Sequence, residues 1–283
     1  MPINTVKEMV SAAKKGGYAV GAFNVENMEM AQAVILAAEE MDSPVILQTT
    51  PSTVRYGGIK LLGRMLAALA EDAKVPTAVH LDHGESFIMA ATAIKNGYTS
   101  IMIDGSRLDF EKNINLTKKV GEVCGIFGIP LEAELGKVGG KEDDAESDGP
   151  GYTDPAEAAE FVKQTGVFSL AVGIGTSHGI YDGAPKLDIP RIGLIAEHID
   201  IPLVLHGTSG LPDADVKACI RRGICKVNYA TELRIEFTKG VKQAIAENPE
   251  AFDPKIYLSA GREKVKQTVK RRIAVCNLSS ADI

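Results

Sequence analysis

The residues most able to do chemistry in this 283-residue sequence are its histidines, because four of the five stand among carboxylates, hydroxyls and glycines. They fall in three short stretches: His80-Leu81-Asp82-His83, Gly175-Thr176-Ser177-His178-Gly179 and His206-Gly207-Thr208-Ser209-Gly210. A single histidine is adequately explained as a hydrogen-bonded packing residue. Three such stretches, with Asp104 and Glu134 at the ends of other apolar runs, point to a metal. Imidazole nitrogen suits Zn²⁺, and three ligands with an open fourth position is the arrangement of a catalytic zinc. The candidate ligands are His83, His178 and His206. His80 comes too early in its run to join them, so it either packs below the site or orients a ligand by hydrogen bonding. His198 stands apart, near an expected helix end.

A second signal is anionic. Gly179, Gly207, Thr208, Ser209 and the stretch from Asn228 to Thr231 combine exposed backbone N–H groups with hydroxyls, which is the makeup of a phosphate nest. Thr231 also opens an expected helix, whose N-terminal dipole favours an anion. The plainer reading of the glycines is that they permit tight turns; beside a metal cluster, phosphate binding is the better one. Strand alternation adds Lys226, which shares a face with Asn228, and Glu132, which shares one with Glu134. An inward lysine is either a Schiff-base nucleophile or half of a buried ion pair, here with Glu132. The ion pair is favoured, since either charge buried alone is costly.

These residues need a scaffold that brings them to one place. Short apolar runs at 18–23, 44–48, 77–81, 100–103, 130–135, 169–174, 202–205 and 224–227 alternate with helical stretches. Those stretches lie at 27–41, 59–73, 87–96, 110–124, 155–165, 189–198, 213–222 and 231–248, and a further helix is expected at 262–276. Eight strand–helix units with short connections imply parallel strands and right-handed crossovers. They predict an α/β fold, a (β/α)₈ TIM barrel with an additional C-terminal helix, spanning 1–283 as one domain; an open sheet is the alternative. In such a barrel the strands' C-terminal ends carry the site. The candidate residues above, with Asn24 after the first strand, all stand at those ends. The one long irregular stretch, 136–152, is rich in Gly, Asp, Glu and Lys, and reads as a functional loop or a disordered insertion.

Composition narrows the partners. Apolar residues make up 45% and charged residues 24%, as in globular proteins that fold in water. A net charge of −6 and no long basic run argue against a nucleic acid. No apolar run is long enough for a membrane span, and the N-terminus lacks the pattern of a signal peptide. Four scattered cysteines, none in a CxxC pair, are expected as free thiols in a reducing, cytoplasmic setting.

The motifs, in order and spacing, match a known family. His80-Leu81-Asp82-His83-Gly84, Glu132-Ala133-Glu134-Leu135-Gly136, Gly139-Gly140-Lys141-Glu142-Asp143-Asp144, Gly175-Thr176-Ser177-His178-Gly179, Leu205-His206-Gly207 and Lys226-Val227-Asn228-Tyr229-Ala230-Thr231 resemble class II ketose-bisphosphate aldolases. The likeness runs over nearly the whole chain and is strongest to the short-chain branch, which holds tagatose-bisphosphate and many bacterial fructose-bisphosphate aldolases. The resemblance implies a catalytic zinc on His83, His178 and His206, with Asp104 and Glu134 as ligands of an alternative or second divalent position. It implies that Asp82 is the acid/base on the C4 hydroxyl and that Glu142 exchanges the C3 proton of dihydroxyacetone phosphate. Gly179, Gly207, Ser209, Asn228 and Thr231 would cradle the phosphate, near a monovalent cation, Na⁺ or K⁺. The substrate would be a ketose 1,6-bisphosphate and the assembly a homodimer or homotetramer, in which Arg262 serves a phosphate, in its own site or a neighbour's.

The sequence departs from some members at Asp182, Ser259, Gly84 and Tyr229, where others carry a lysine, an arginine, a histidine and a different residue. Asp182 and Ser259 leave open an aldolase that joins dihydroxyacetone phosphate to another, unphosphorylated aldehyde. Two further readings stand beside it: a metal-free lyase using Lys226, and a non-catalytic barrel subunit that stabilises a partner.

Overall fold

The computed structural model describes residues 3–142, 145–147, 151–181, 183 and 185–278. Eight parallel strands close into a barrel: β1 (Val20–Asn24), β2 (Val45–Thr49), β3 (Thr77–Gly84), β4 (Ser100–Ile103), β5 (Leu131–Leu135), β8 (Ser169–Val172), β10 (Leu203–Leu205) and β11 (Ile224–Tyr229). Sequential neighbours pair all the way round, and β11 returns to β1 through Val20↔Lys226 and Ala22↔Asn228. The expected barrel is therefore the observed one. Its interior is apolar at the bottom, where α1 (Val6–Gly16) presses Val6, Met9, Val10 and Ala13 against Val20, Ala22, Ile46 and Ala78. Removing each such side chain from water contributes about 1.5–3 kcal/mol, less for alanine. This plug helix is not among the helical stretches that the sequence pattern predicts.

The outer helices follow the predicted order, with one short helix, α3 (Pro51–Gly57), that the sequence pattern does not predict: α2 (Met28–Glu40), α4 (Ile59–Asp72), α5 (Phe87–Lys95), α6 (Phe110–Ile126), α7 (Pro155–Thr165), α8 (Pro190–His198), α9 (Asp213–Arg221), α10 (Thr231–Glu247) and α11 (Pro254–Cys276). Several begin where a side chain caps the first turn: Asn27, Ser86, Asp109 and Asp154 each accept from a backbone N–H two or three residues on. The additional C-terminal helix is α11, and it begins two turns earlier than the sequence pattern suggests, at a Pro that suits a first helical position. Within the stretch 136–152 the described residues form a hairpin. There β6 (Gly139–Glu142) pairs antiparallel with β7 (Ala145–Ser147) and parallel with the two-residue β9 (Ser177–His178).

Candidate active site

The third strand does something an ideal strand cannot. Successive side chains of a strand alternate between faces, yet Asp82 and His83 both turn into the same cluster. The register against β4 slips between Leu81↔Ile101 and Gly84↔Ile103, so β3 carries one extra residue there. His83 takes up the bulge in a left-handed conformation, φ 49°. A non-glycine residue in that region is strained, and such strain concentrates at functional sites. The apolar run thus continues three residues past its predicted end, and both residues lie within it.

His83, His178 and His206 offer nitrogens that lie within 4.8 Å of one another. Their protons can be placed. Asp104 Oδ2 is 2.8 Å from His83 Nδ1, and Glu132 Oε1 is 3.1 Å from His206 Nε2. An ionised carboxylate can only accept, so each of those nitrogens carries the proton. Burial drives both carboxyls up, but the hydrogen bond from His83 for Asp104 and the Lys226 ammonium for Glu132 more than reverse this, leaving both well below the usual carboxylate range. Burial also lowers the pKa of His206, keeping it neutral. His83 Nε2 and His206 Nδ1 are then left facing each other at 2.9 Å with a lone pair each. Two lone pairs at that distance repel unless a cation lies between them. The donor set fits a metal, with the rings of His83 and His206 each held from behind by a carboxylate. His83, Asp104 and Glu134 form a second group that could hold an ion.

Beside the histidines, Asp82 accepts from three amides: Asn24 Nδ2 at 2.8 Å, Asn228 Nδ2 at 3.0 Å and Gln48 Nε2 at 3.3 Å. One of its oxygens is 3.9 Å from His83 Nε2. A small cleft opens next to it, lined by Asn24, His178, Gly179, Gly207, Thr208, Ser209, Asn228, Ala230, Thr231 and Arg234. Gly207 is left-handed, φ 66°, and a Cβ there would meet the backbone carbonyl of Ser177 at 2.7 Å, so only a glycine at this position lets the two loops come this close. Tyr181 staples the same loops: its hydroxyl accepts from Ser177 N at 2.9 Å and donates to Gly207 O at 2.6 Å. Helix α10 has no cap from its own chain segment; the Ser209 hydroxyl approaches the N–H groups of Ala230 and Glu232 instead.

Comparisons with known proteins decide the family. The profile described as "Fructose-bisphosphate aldolase class-II" matches residues 4–281. A Bacillus subtilis (strain 168) protein named "Probable fructose-bisphosphate aldolase" is 46% identical over 272 residues, 95% of each chain. The chain belongs to the class II fructose-bisphosphate aldolase family. It is similar in structure to the YdjI aldolase of Escherichia coli K12, with TM-score 0.86, 36% identity and 99% and 100% of the two chains covered. A putative fructose-1,6-biphosphate aldolase from Coccidioides immitis gives TM-score 0.89 at 29% identity over 96% of both chains.

This aldolase, a carbon–carbon lyase acting on phosphorylated sugars, brings together Asp82, the five candidate metal ligands and the candidate phosphate-binding residues other than Arg262. Glu142 ends β6, but its side chain lies outside what is described, as do Asp143, Asp144 and Asp182. Arg262 does not line the pocket; on α11 it donates to Gln32 of α2 at 2.8 Å. Ser259 lies on the same helix. Lys226 is fully buried and donates to Glu132 at 3.0 and 3.1 Å, which settles the open choice in favour of the ion pair. His80 packs below the metal site, its Nδ1 on Ser100 Oγ at 2.8 Å. The four cysteines are free and buried, and burial raises every thiol, those of Cys124, Cys219 and Cys276 to about 12, which disfavours the nucleophilic thiolate. Among the described residues no helix is long and apolar enough to cross a membrane.

Sequence reasoning missed Gln48, Tyr181, Arg234 and Glu26. Gln48 sits in an apolar run and looks like a core position until β2 is placed beside Asn24. Arg234 follows Thr231 by one helical turn, a spacing that puts both on one face. It pairs with Glu26, which also takes the Thr53 hydroxyl.

Proposed function

We propose that this enzyme is a zinc-dependent aldolase that reversibly cleaves a ketose 1,6-bisphosphate, fructose or tagatose, into dihydroxyacetone phosphate and glyceraldehyde 3-phosphate. The observation that carries the proposal is the facing pair of lone-pair nitrogens, His83 Nε2 and His206 Nδ1, with the Asp82 carboxylate 3.9 Å from the first. His83, His178 and His206 hold the zinc, which supplies a Lewis acid for the ketose oxygens. Asp82 takes the C4 hydroxyl proton as the carbon–carbon bond breaks, and returns it in the reverse direction. Its three amide donors fix it in position for that transfer. Glu142 exchanges the C3 proton of dihydroxyacetone phosphate. Asn24, Gly179, Gly207, Thr208, Ser209, Asn228 and Thr231 receive the phosphate end, at the N-terminus of α10. Asn228 Oδ1, buried with no hydrogen-bond partner among the described residues, is an acceptor suited to a sugar hydroxyl. Asp104 and Glu134 serve an alternative or second divalent position, and a monovalent ion, Na⁺ or K⁺, accompanies the phosphate.

A second reading has the same metal chemistry with an unphosphorylated aldehyde. What favours it is Arg262, held by Gln32 away from the pocket; in a homodimer or homotetramer a neighbouring copy is the alternative source of that cation. The enzyme is proposed to be a single cytoplasmic domain.

The test is cleavage of fructose 1,6-bisphosphate, tagatose 1,6-bisphosphate and a ketose 1-phosphate, before and after exhaustive chelation and readdition of zinc or cobalt. Activity that vanishes with the metal and returns with it supports the proposal. Activity that survives chelation overturns it, and the preferred ketose separates the two readings of the aldehyde half.

A further inference from the structure

The layer directly beneath the metal cluster is ionic, where barrels of this kind are ordinarily filled by branched apolar side chains. Lys226 and Glu132 are each at most 1% exposed. Lys226 Nζ donates to both oxygens of Glu132 and lies 3.4 Å from His80 Nε2. Glu132 Oε2 also faces Ser169 Oγ at 3.4 Å, and Oε1 receives His206 Nε2 at 3.1 Å. Stability alone does not account for this arrangement, since replacing a buried ion pair by apolar groups of similar size is often neutral or stabilising.

The ring of His206 has a second neighbour that would set it the other way. Asn228 Nδ2 stands 3.1 Å from the same Nε2, and an amide N–H can only donate. With the carboxylate present, Nε2 carries the proton and Nδ1 keeps its lone pair toward His83. With the carboxylate gone, Nε2 would accept from Asn228 and the proton would move to Nδ1, on the side where the ligands converge.

We infer that Glu132, held by Lys226 and Ser169, is the positioning residue that keeps His206 in its metal-binding tautomer. Lys226 anchors that carboxylate from below, at the end of a chain that runs Lys226–Glu132–His206 to the metal. The inference rests on the zinc reading given above.

The test compares the full-length protein with the double variant Glu132→Leu/Lys226→Met, which removes both charges and leaves apolar groups of similar volume. Zinc affinity is read by chelator competition, the cobalt-substituted site by its visible absorption, and the metal-free fold by its thermal midpoint. The expected result is a midpoint at or above that of the parent, about 10–100-fold weaker zinc binding, and an altered cobalt spectrum. Zinc affinity and cobalt spectrum equal to the parent's would make the pair purely structural and overturn the inference. If the double variant does not fold, the unaltered metal-free protein decides: imidazole ¹⁵N shifts, assigned by the signals lost in His206→Ala, must show Nε2 protonated and Nδ1 bare. The opposite tautomer overturns it. A parent that binds no divalent ion at these histidines sinks the zinc reading itself, a different outcome from parent binding that the double variant matches.

Discussion

Asn24 donates its side-chain amide to Asp82 at 2.8 Å, and Gln48 donates to Asn24 in turn at 2.7 Å. The first two strands therefore aim a carboxylate carried by the third. Asp82→Ala is expected to lower kcat by about 10²–10⁴-fold, the usual range for loss of an acid/base, with zinc content unchanged. Asn24→Ala keeps the carboxylate but loosens it, so a smaller fall in kcat is expected. Steady-state assays with metal analysis on the same samples check both, and full activity in Asp82→Ala would exclude the proton-transfer role.

Gly140 is expected to matter for the metal although it carries no side chain. Its φ is 79°, and a Cβ there would meet the carbonyl oxygen of His178 at 2.3 Å. Gly140→Ala must push β6 away from β9 and so displace a ligand. Weaker zinc binding should follow, measured by chelator competition; unchanged affinity would show that His178 is positioned independently of the hairpin.

Lys226 is expected to be silent in a covalent trap. Its ammonium is held by both oxygens of Glu132 and does not line the pocket. Borohydride reduction in the presence of a ketose bisphosphate, followed by peptide mass analysis, should leave Lys226 unmodified. A reduced substrate adduct there would revive the Schiff-base mechanism.

His80 gives a signed dependence of stability on pH. Burial foremost, and then the nearby Lys226 charge, hold its pKa well below the ordinary value. The unfolded chain takes up a proton at about 6.5 that the folded protein does not. The stability from this group is thus complete above that pH and is lost as the pH falls below it, by up to about 1.4 kcal/mol per unit. Thermal midpoints of metal-free protein between about pH 7.5 and 5 should fall on acidification, and less steeply in His80→Phe. Equal slopes would place the titration elsewhere.

Much of this architecture is legible without coordinates because it follows from two periodicities. Alternating apolar runs and helical stretches imply the barrel, and the barrel places His83, His178 and His206 on one rim. Residues whose placement depends on a neighbouring strand are harder to read. Gln48 becomes a site residue only through the pairing Asn24↔Gln48, and the bulge at His83 leaves no mark in composition. The hairpin of β6 and β7 hides in a run of glycines and charges with low strand preference. It is held by pairing with β9, a contact between segments far apart in sequence. Arg262 entered through family likeness alone, and its observed partner Gln32 belongs to a helix packing that single-sequence patterns do not report.

The pairing of β6 with β9 ties two chemistries to one ladder of hydrogen bonds. The backbone that ends in Glu142 is joined, through Gly140↔His178, to the backbone of a proposed metal ligand. Binding equilibria that share an element are reciprocal. Whatever free energy metal occupancy lends to docking the acidic hairpin, a docked hairpin must return to the metal, so a ligand that draws the hairpin onto the barrel should also tighten the equilibrium hold on the ion.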